Sequence, residues 1–204
     1  MLSYKTIQPH TLELLKDLTN ESIFSQLRLV GGTALALQLG HRNSIDLDFF
    51  GHIEVEDGDL LETLRKHGKV EILKLSQNIK IFTLDGIKVD IVNYAYPWID
   101  DAVLEDGLRL AAPKDIAAMK INAIEGRGTK KDFVDVFELL KTYSLNDILV
   151  FHKEKYPEAS TFRALMSLSY FEDAESQPLP KMFIPENWEE MKKKILDAVS
   201  VFKS

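Results

Sequence analysis

The residues most able to do chemistry lie in one stretch, "VGGTALALQLGHRNSIDLDFF", residues 30–50. Asp46 and Asp48 stand one residue apart in an apolar run, and strand residues i and i+2 point to the same face. Ile45, Leu47 and Phe49 then share the other face and pack into a core. Two carboxylates side by side repel, and a cation between them relieves the repulsion. Mg²⁺ takes oxygen ligands, and this pair is the simplest set that supplies two. Asp90 in "IKVDIV" is a third strand carboxylate, with Val89 and Ile91 directed to the core. If its strand lies beside residues 44–50, Asp46, Asp48 and Asp90 converge. A triad of that kind can hold two Mg²⁺ ions about 4 Å apart, the arrangement used for in-line phosphoryl transfer.

Gly31 and Gly32 end an apolar strand and begin a helix. Backbone there can approach a phosphate closely, and a helix N-terminus offers unpaired N–H groups and positive potential. Thr33 adds a hydroxyl. Taken alone, Gly-Gly reads as a turn and Asp-x-Asp as a solvated strand edge. Together, with a third strand aspartate, they point to an anion site followed by a metal site, and a nucleoside triphosphate with Mg²⁺ satisfies both. Arg42 precedes the acidic strand and can bind phosphate or pair with the carboxylates. His41 reads as a packing residue.

Further along, Lys120 and Arg127 are seven residues apart and share a helix face if the helix persists, but Gly126 and Gly128 bracket Arg127 and place it at the helix's frayed end. A lysine point charge suits a triphosphate, although a lone helix lysine is ordinarily solvated. Asp132 has two readings. It can belong to the site, positioning Lys120 or the base, or it can complete a capping box with Thr129. Asp135 shares its face and can pair with Lys131 or Arg127. His10, His52, His67 and His152 show no metal-ligand spacing.

The elements that would position these residues change character along the chain. The spacing predicts a helix over 7–18, a strand over 27–32, a helix over 33–40 with Gly40 as its C-cap, and a strand over 44–50. A helix over 58–68 and strands over 70–76, 78–84 and 87–94 follow, the last two joined at Asp85-Gly86, a two-residue hairpin signal. From Pro113 the pattern is almost entirely helical, broken by a proline-rich loop over 175–187 and closed by a helix over 188–202. The junction is placed near Asp106-Gly107, giving domains 1–106 and 107–204.

Composition bounds the rest. With 45% hydrophobic residues and 28% charged, the chain of 204 residues can bury a core and is not a disordered tail. The absence of cysteine excludes disulfides and thiolate chemistry. No apolar run approaches the roughly 20 residues that span a bilayer, and no basic-then-apolar start is seen. A soluble, cytoplasmic protein with no membrane association is expected. The net charge of -7 confines any RNA contact to a local patch.

"GGTALALQLGHRNSIDLDFF" and the later "RLAAPKDIAAMKINAIEGRGTKKDFVDVFELL" together resemble the AbiEii/AbiGii-type toxin family of minimal nucleotidyltransferases, in the DNA polymerase β-like superfamily. The resemblance spans roughly residues 28–142. It implies an α+β nucleotidyltransferase fold, a small twisted mixed sheet with helices, followed by an all-helical C-terminal domain that completes the active-site cleft. It implies Mg²⁺-dependent transfer of a nucleoside monophosphate from a nucleoside triphosphate to an acceptor hydroxyl, with RNA such as tRNA as acceptor and a cognate antitoxin as partner. By the resemblance, Gly31, Gly32 and Thr33 fall on phosphate-binding positions, Asp46 and Asp48 on metal ligands, and Lys120 and Asp132 on the later catalytic motif. Two other readings stay open: a nucleotide-binding module without catalysis, and a nucleotidyltransferase acting on a protein or small molecule.

Overall fold

The computed structural model describes residues 1–203, with side chains described through Phe202. The chain divides into two compact units, residues 1–95 with 102–111, and residues 96–101 with 112 onward. The backbone therefore passes between units three times. Among the described residues, no helix is long and apolar enough to cross a membrane.

Unit 1 is built on a mixed sheet of seven strands. In chain order its elements are α1 (Pro9–Asn20), β1 (Leu27–Leu29), α2 (Gly31–Leu39), β2 (Leu47–Gly51), α3 (Asp57–Arg65), β3 (Val70–Leu75), β4 (Ile79–Leu84), β5 (Ile87–Asn93), β6 (Val103–Glu105) and β7 (Leu108–Leu110). The strand order is β3-β4-β5-β2-β1-β7-β6. β2 runs parallel to β5, with Asp48 opposite Asp90, and antiparallel to β1, with Phe49 opposite Leu29. Alternation decides the core face. Leu47, Phe49, Phe82, Leu84, Val89 and Ile91 are buried while the residues between them are not. Burying each such side chain contributes about 1.5–3 kcal/mol. α2 is apolar on every side, with Thr33 to Leu37 all buried, so its N-terminus is fixed by the core. Its C-terminus stops at Gly40, whose left-handed backbone (φ 72°) lets its N–H reach the Ala36 carbonyl at 2.8 Å.

The Asp85-Gly86 hairpin is present, with both residues at positive φ, 47° and 83°, as a type I′ turn requires. Three expectations need correction. Gly31 and Gly32 do not end the strand: β1 stops at Leu29, and the two glycines are the first two residues of α2. Ile45 does not face the core. It is 53% exposed in the segment before β2, and the buried alternation starts at Leu47. Asp106-Gly107 is the turn of a second hairpin, β6–β7, again at positive φ (53° and 78°), and β7 pairs in parallel with β1 through Leu110 and Leu29.

Unit 2 is helical: α4 (Pro113–Gly126), α5 (Lys130–Leu139), α6 (Leu145–Lys155), α7 (Thr161–Leu168), the single turn α8 (Glu172–Glu175) and α9 (Trp188–Lys203). α4 packs against α5, α6 and α7. Pro113 opens α4, where its missing N–H costs nothing. Phe133, Phe171 and Trp188 form an aromatic cluster with ring centroids 4.8–6.1 Å apart. Residues 96–101 are tied to this unit by a fully buried ion pair. Lys155 Nζ lies 2.7 Å from Asp115 Oδ1, donates to the Pro97 carbonyl at 2.7 Å and stands 4.4 Å from the Trp98 ring centroid. Asp115 accepts the backbone N–H groups of Ile99 and Asp100.

Candidate active site

In unit 1 the site is assembled from the start of α2 and the entry into β2. Gly31 has φ 67°, a conformation that favours glycine. A Cβ there would fall on Asp48 Oδ2, and one on Gly32 would fall on the Arg42 guanidinium. The two glycines thus let a carboxylate and a guanidinium lie against the first turn of a helix. Val30 N–H donates to the Asp48 carbonyl at 2.8 Å, locking β1, α2 and β2 in register at this point. Thr33 is buried and its hydroxyl does not face solvent. It donates to the Asp46 carbonyl and sits 2.9 Å from Ser44 Oγ. Its effect is to fasten the segment that carries Asp46. Arg42 is also buried and donates to the Asn43 carbonyl at 2.9 Å.

Asp46 and Asp48 do not share a strand, because β2 begins at Leu47 and Asp46 lies just before it. Asp48 is half-buried, as is Asp46. Asp90 stands beside Asp48 across the parallel pair, but Lys88 Nζ lies 2.6 Å from both of its carboxylate oxygens. Among the described residues no three His, Cys, Asp or Glu side chains group as a metal site. Asp46 and Asp48 are half-buried carboxylates, oxygen donors of the type that Mg²⁺ takes, and the Asp90 carboxylate is paired with the Lys88 ammonium. Sequence reasoning missed Lys88 and Ser44. The i, i+2 spacing of Lys88 and Asp90 in a strand was a signal that could have found the first.

In unit 2, Lys120, Asp132 and Asp135 come together inside the helices. Lys120 is not a solvated lysine. Its Nζ is buried, 2.9 Å from Asp132 Oδ1 and 2.6 Å from Asp135 Oδ2. Arg127, at the end of α4, adds Nε to Asp132 Oδ2 at 3.0 Å and a second N–H to Oδ1 at 3.2 Å. The Thr129 hydroxyl donates to Asp132 Oδ2 at 2.6 Å and makes no side-chain cap of α5, so in place of the capping box, the second reading of Asp132, there is a direct side-chain bond. Burial by itself would raise the Asp132 carboxyl. The charge of Lys120, with the hydrogen bonds and charge of Arg127 and the Thr129 hydroxyl, overcomes it and holds the group well below the usual carboxylate range. Two cations and two anions leave this cluster formally neutral. Arg127, with its side chain 58% exposed, is its solvent-facing member.

Residues 13–202 match the family model described as nucleotidyl transferase AbiEii toxin, type IV TA system. A protein of Aquifex aeolicus (strain VF5), the uncharacterized protein aq_aa25, is 35% identical over 185 residues, covering 88% of this chain and 89% of that one. In fold, the chain is similar to the crystal structure of JHP933 from Helicobacter pylori, with a TM-score of 0.57 at 19% identity over 96% of this chain and 92% of that one. It is also similar to the antibiotic-resistance factor ANT(2'')-Ia, with a TM-score of 0.52 at 15% identity over 70% and 88% of the two chains. Those two likenesses show the fold, an α+β nucleotidyltransferase fold, and the family match covers nearly the whole sequence. The chain belongs to the AbiEii family of nucleotidyl transferase toxins of type IV toxin–antitoxin systems.

Proposed function

We propose that this nucleotidyltransferase moves a nucleoside monophosphate from a nucleoside triphosphate to an acceptor hydroxyl on RNA, with tRNA as the leading substrate, in a Mg²⁺-dependent reaction. The observation that carries the reading is the placement of the Asp48 carboxylate against Gly31, at a helix N-terminus whose position Thr33 ties to Asp46. The backbone at Gly31 and Gly32 receives phosphate oxygens, and Arg42 beside Gly32 adds positive charge. Asp46 and Asp48 would hold Mg²⁺, which when bound neutralises phosphate charge and lowers the pKa of the acceptor hydroxyl. The acceptor oxygen forms a bond to the α-phosphorus, the bond from that phosphorus to the bridging oxygen breaks, and pyrophosphate leaves. The hydroxyl proton passes to solvent, since the reaction depends mainly on positioning and charge neutralisation. Lys120 and Asp132 act as positioning residues that fix α4 against α5, with Arg127 as the exposed cation of their cluster. Asp90, held by Lys88, supports Asp48 from the neighbouring strand without serving as a principal ligand.

The test is incubation of purified protein with each α-³²P-labelled nucleoside triphosphate, Mg²⁺ and total cellular RNA and protein. A Mg²⁺-dependent labelled RNA band that disappears in Asp46→Ala supports the reading. A labelled protein or small molecule would move the acceptor class. Nucleotide binding with no transfer to any fraction would leave a binding module. Coexpression with a cognate antitoxin should relieve growth arrest caused by the active protein and have nothing to relieve in Asp46→Ala.

A further inference from the structure

Unit 2 contains a cleft of about 210 Å³ that nucleotidyl transfer as described leaves without a role. Asn122 and Glu125 of α4, His152 and Tyr156 at the end of α6, Arg163 of α7, and Tyr96 line it. Two of the residues that line it each carry a stranded polar atom. His152 is 2% exposed and its Nε2 is buried without a hydrogen-bond partner among the described residues. Glu125, its side chain 9% exposed, has Oε2 3.4 Å from Arg163 Nε and Oε1 buried with no partner. Buried polar atoms are normally satisfied, because a stranded one forfeits its bonds to water with nothing in return. Two in the lining of one cleft point to a ligand that brings the missing groups.

The lining also defines what kind of ligand. Tyr96 and Tyr156 meet edge to face with ring centroids 4.8 Å apart, and the His152 ring lies 5.4 Å from that of Tyr156. A space of this size is below the roughly 300 Å³ at which pockets take whole drug-sized molecules, so it suits one ring system with the rest of the ligand outside. We propose that the cleft receives a single unpaired nucleobase. Its flat face packs on the tyrosine rings, as bases do on aromatic side chains. Its N–H and ring-nitrogen or carbonyl edge meets Glu125, His152 and the Asn122 amide, which together offer both donors and acceptors. Arg163, its side chain 63% exposed, is placed to meet the attached phosphate. Burial, with the charges of Arg163 and Lys153, holds the His152 imidazole down to about 4, so it is neutral at physiological pH and its Nε2 serves as donor or acceptor according to the tautomer. The inference rests on nucleotidyl transfer only for the source of the base, which is either a free nucleotide or an RNA strand.

The experiment is a titration of the full chain carrying Asp48→Ala, which prevents turnover, with ¹³C-labelled histidine and tyrosine rings observed by NMR. The probes are AMP, GMP, CMP and UMP, a short single-stranded oligoribonucleotide, and ribose 5-phosphate as a base-free control. Saturable shifts of the His152, Tyr96 and Tyr156 rings are expected with a base-bearing probe and not with ribose 5-phosphate. Binding should weaken about tenfold in Glu125→Gln and in Tyr156→Ala, in line with the loss of about one base-stacking or charge-assisted contact. Should Tyr156→Ala fail to fold, Glu125→Gln decides alone. Saturation by a mononucleotide names a free nucleotide as the source, and saturation by the oligoribonucleotide alone names an RNA strand. The proposal is overturned by no shift with any base-bearing probe, by equal shifts with ribose 5-phosphate, or by variants that bind like the parent. Because binding is read without turnover, these outcomes are separate from failure of the transfer assay.

Discussion

In unit 1, Asp48 is half-buried and its carboxylate lies over a glycine at a helix start; in unit 2, Asp132 and Asp135 are fully buried and share one lysine. Both sets of aspartates lie within the residues that match the family model, yet their surroundings differ. The first set keeps its carboxylates half-buried, one of them against the first turn of a helix. The second closes its charges on one another and leaves one arginine facing out. Charge that is already compensated inside a helical core holds elements together. The same residue type thus stands half-buried in one unit and closed into a buried ion-pair cluster in the other.

Breaking that contrast at its strongest point means removing Lys120. Lys120→Met leaves two buried carboxylates without their shared cation and should cost about 3–5 kcal/mol, read by urea unfolding. A loss below 1 kcal/mol, on the order of a surface pair, would mean the cluster is not the internal staple described here. Next, Asp48→Ala should lower transfer activity at least ~100-fold, about 2.7 kcal/mol of transition-state stabilisation, with the unfolding midpoint nearly unchanged. Residual activity above about a tenth would remove Asp48 from the principal site. Gly31→Ala should cost about 1–3 kcal/mol, because alanine at φ 67° is strained and its Cβ meets Asp48. Gly31→Ala should also lose activity, whereas Gly126→Ala, where a Cβ meets nothing, should do neither. The smallest effect is expected at Asp90→Asn, within about threefold in activity, since its charge is already spent on Lys88; each further tenfold would represent ~1.4 kcal/mol.

Acid should sharpen the comparison. His152 has a folded pKa lowered to about 4 from 6.5, so the folded chain binds fewer protons than the unfolded one between those values. Its contribution is present above pH 6.5 and declines as the pH falls toward 4. Asp132 is also depressed, so its contribution is present above the ordinary carboxylate range and is lost only at lower pH still, as its folded pKa is passed. Stability measured by denaturant from pH 7 down to pH 3 should therefore fall first with His152 and only begin its further, Asp132-linked decline at the acid end of that range. His152→Gln should remove the first fall and Asp132→Asn should weaken the further decline. A single drop beginning below pH 4 would show that His152 is not held neutral.

Much of unit 1 was legible because its signals are local. Asp85-Gly86 needs only two residues at positive φ, Gly40 only one, and the β2 and β5 alternation is visible within five or seven residues. β6 and β7 escaped for the opposite reason. Each has three residues, too few to show a period, and β7 is secured by β1, some eighty positions earlier in the chain. The Asp106-Gly107 turn has the same chemistry as Asp85-Gly86 and was the available clue. At the candidate site, the sequence pattern singled out Gly31, Gly32, Asp46 and Asp48 by type and spacing. It could not reveal that Thr33 turns inward to Asp46, or that Lys120 is enclosed, since those depend on which side of an element is buried. The Asp115–Lys155 pair was invisible, because two ordinary helix charges forty residues apart carry no pattern until α4 and α6 pack.

The three passages of backbone between units bear on how such a protein can be shortened or rearranged. Neither unit is one uninterrupted stretch. A stop after Ala95 would deprive the sheet of β6 and β7, and a start at Ala112 would leave Asp115 and Lys155 without Pro97, Ile99 and Asp100. No single cut separates the halves cleanly. Deletions, split reporters and swaps with relatives should therefore exchange residues 96–101 together with residues 112 onward, or leave both in place.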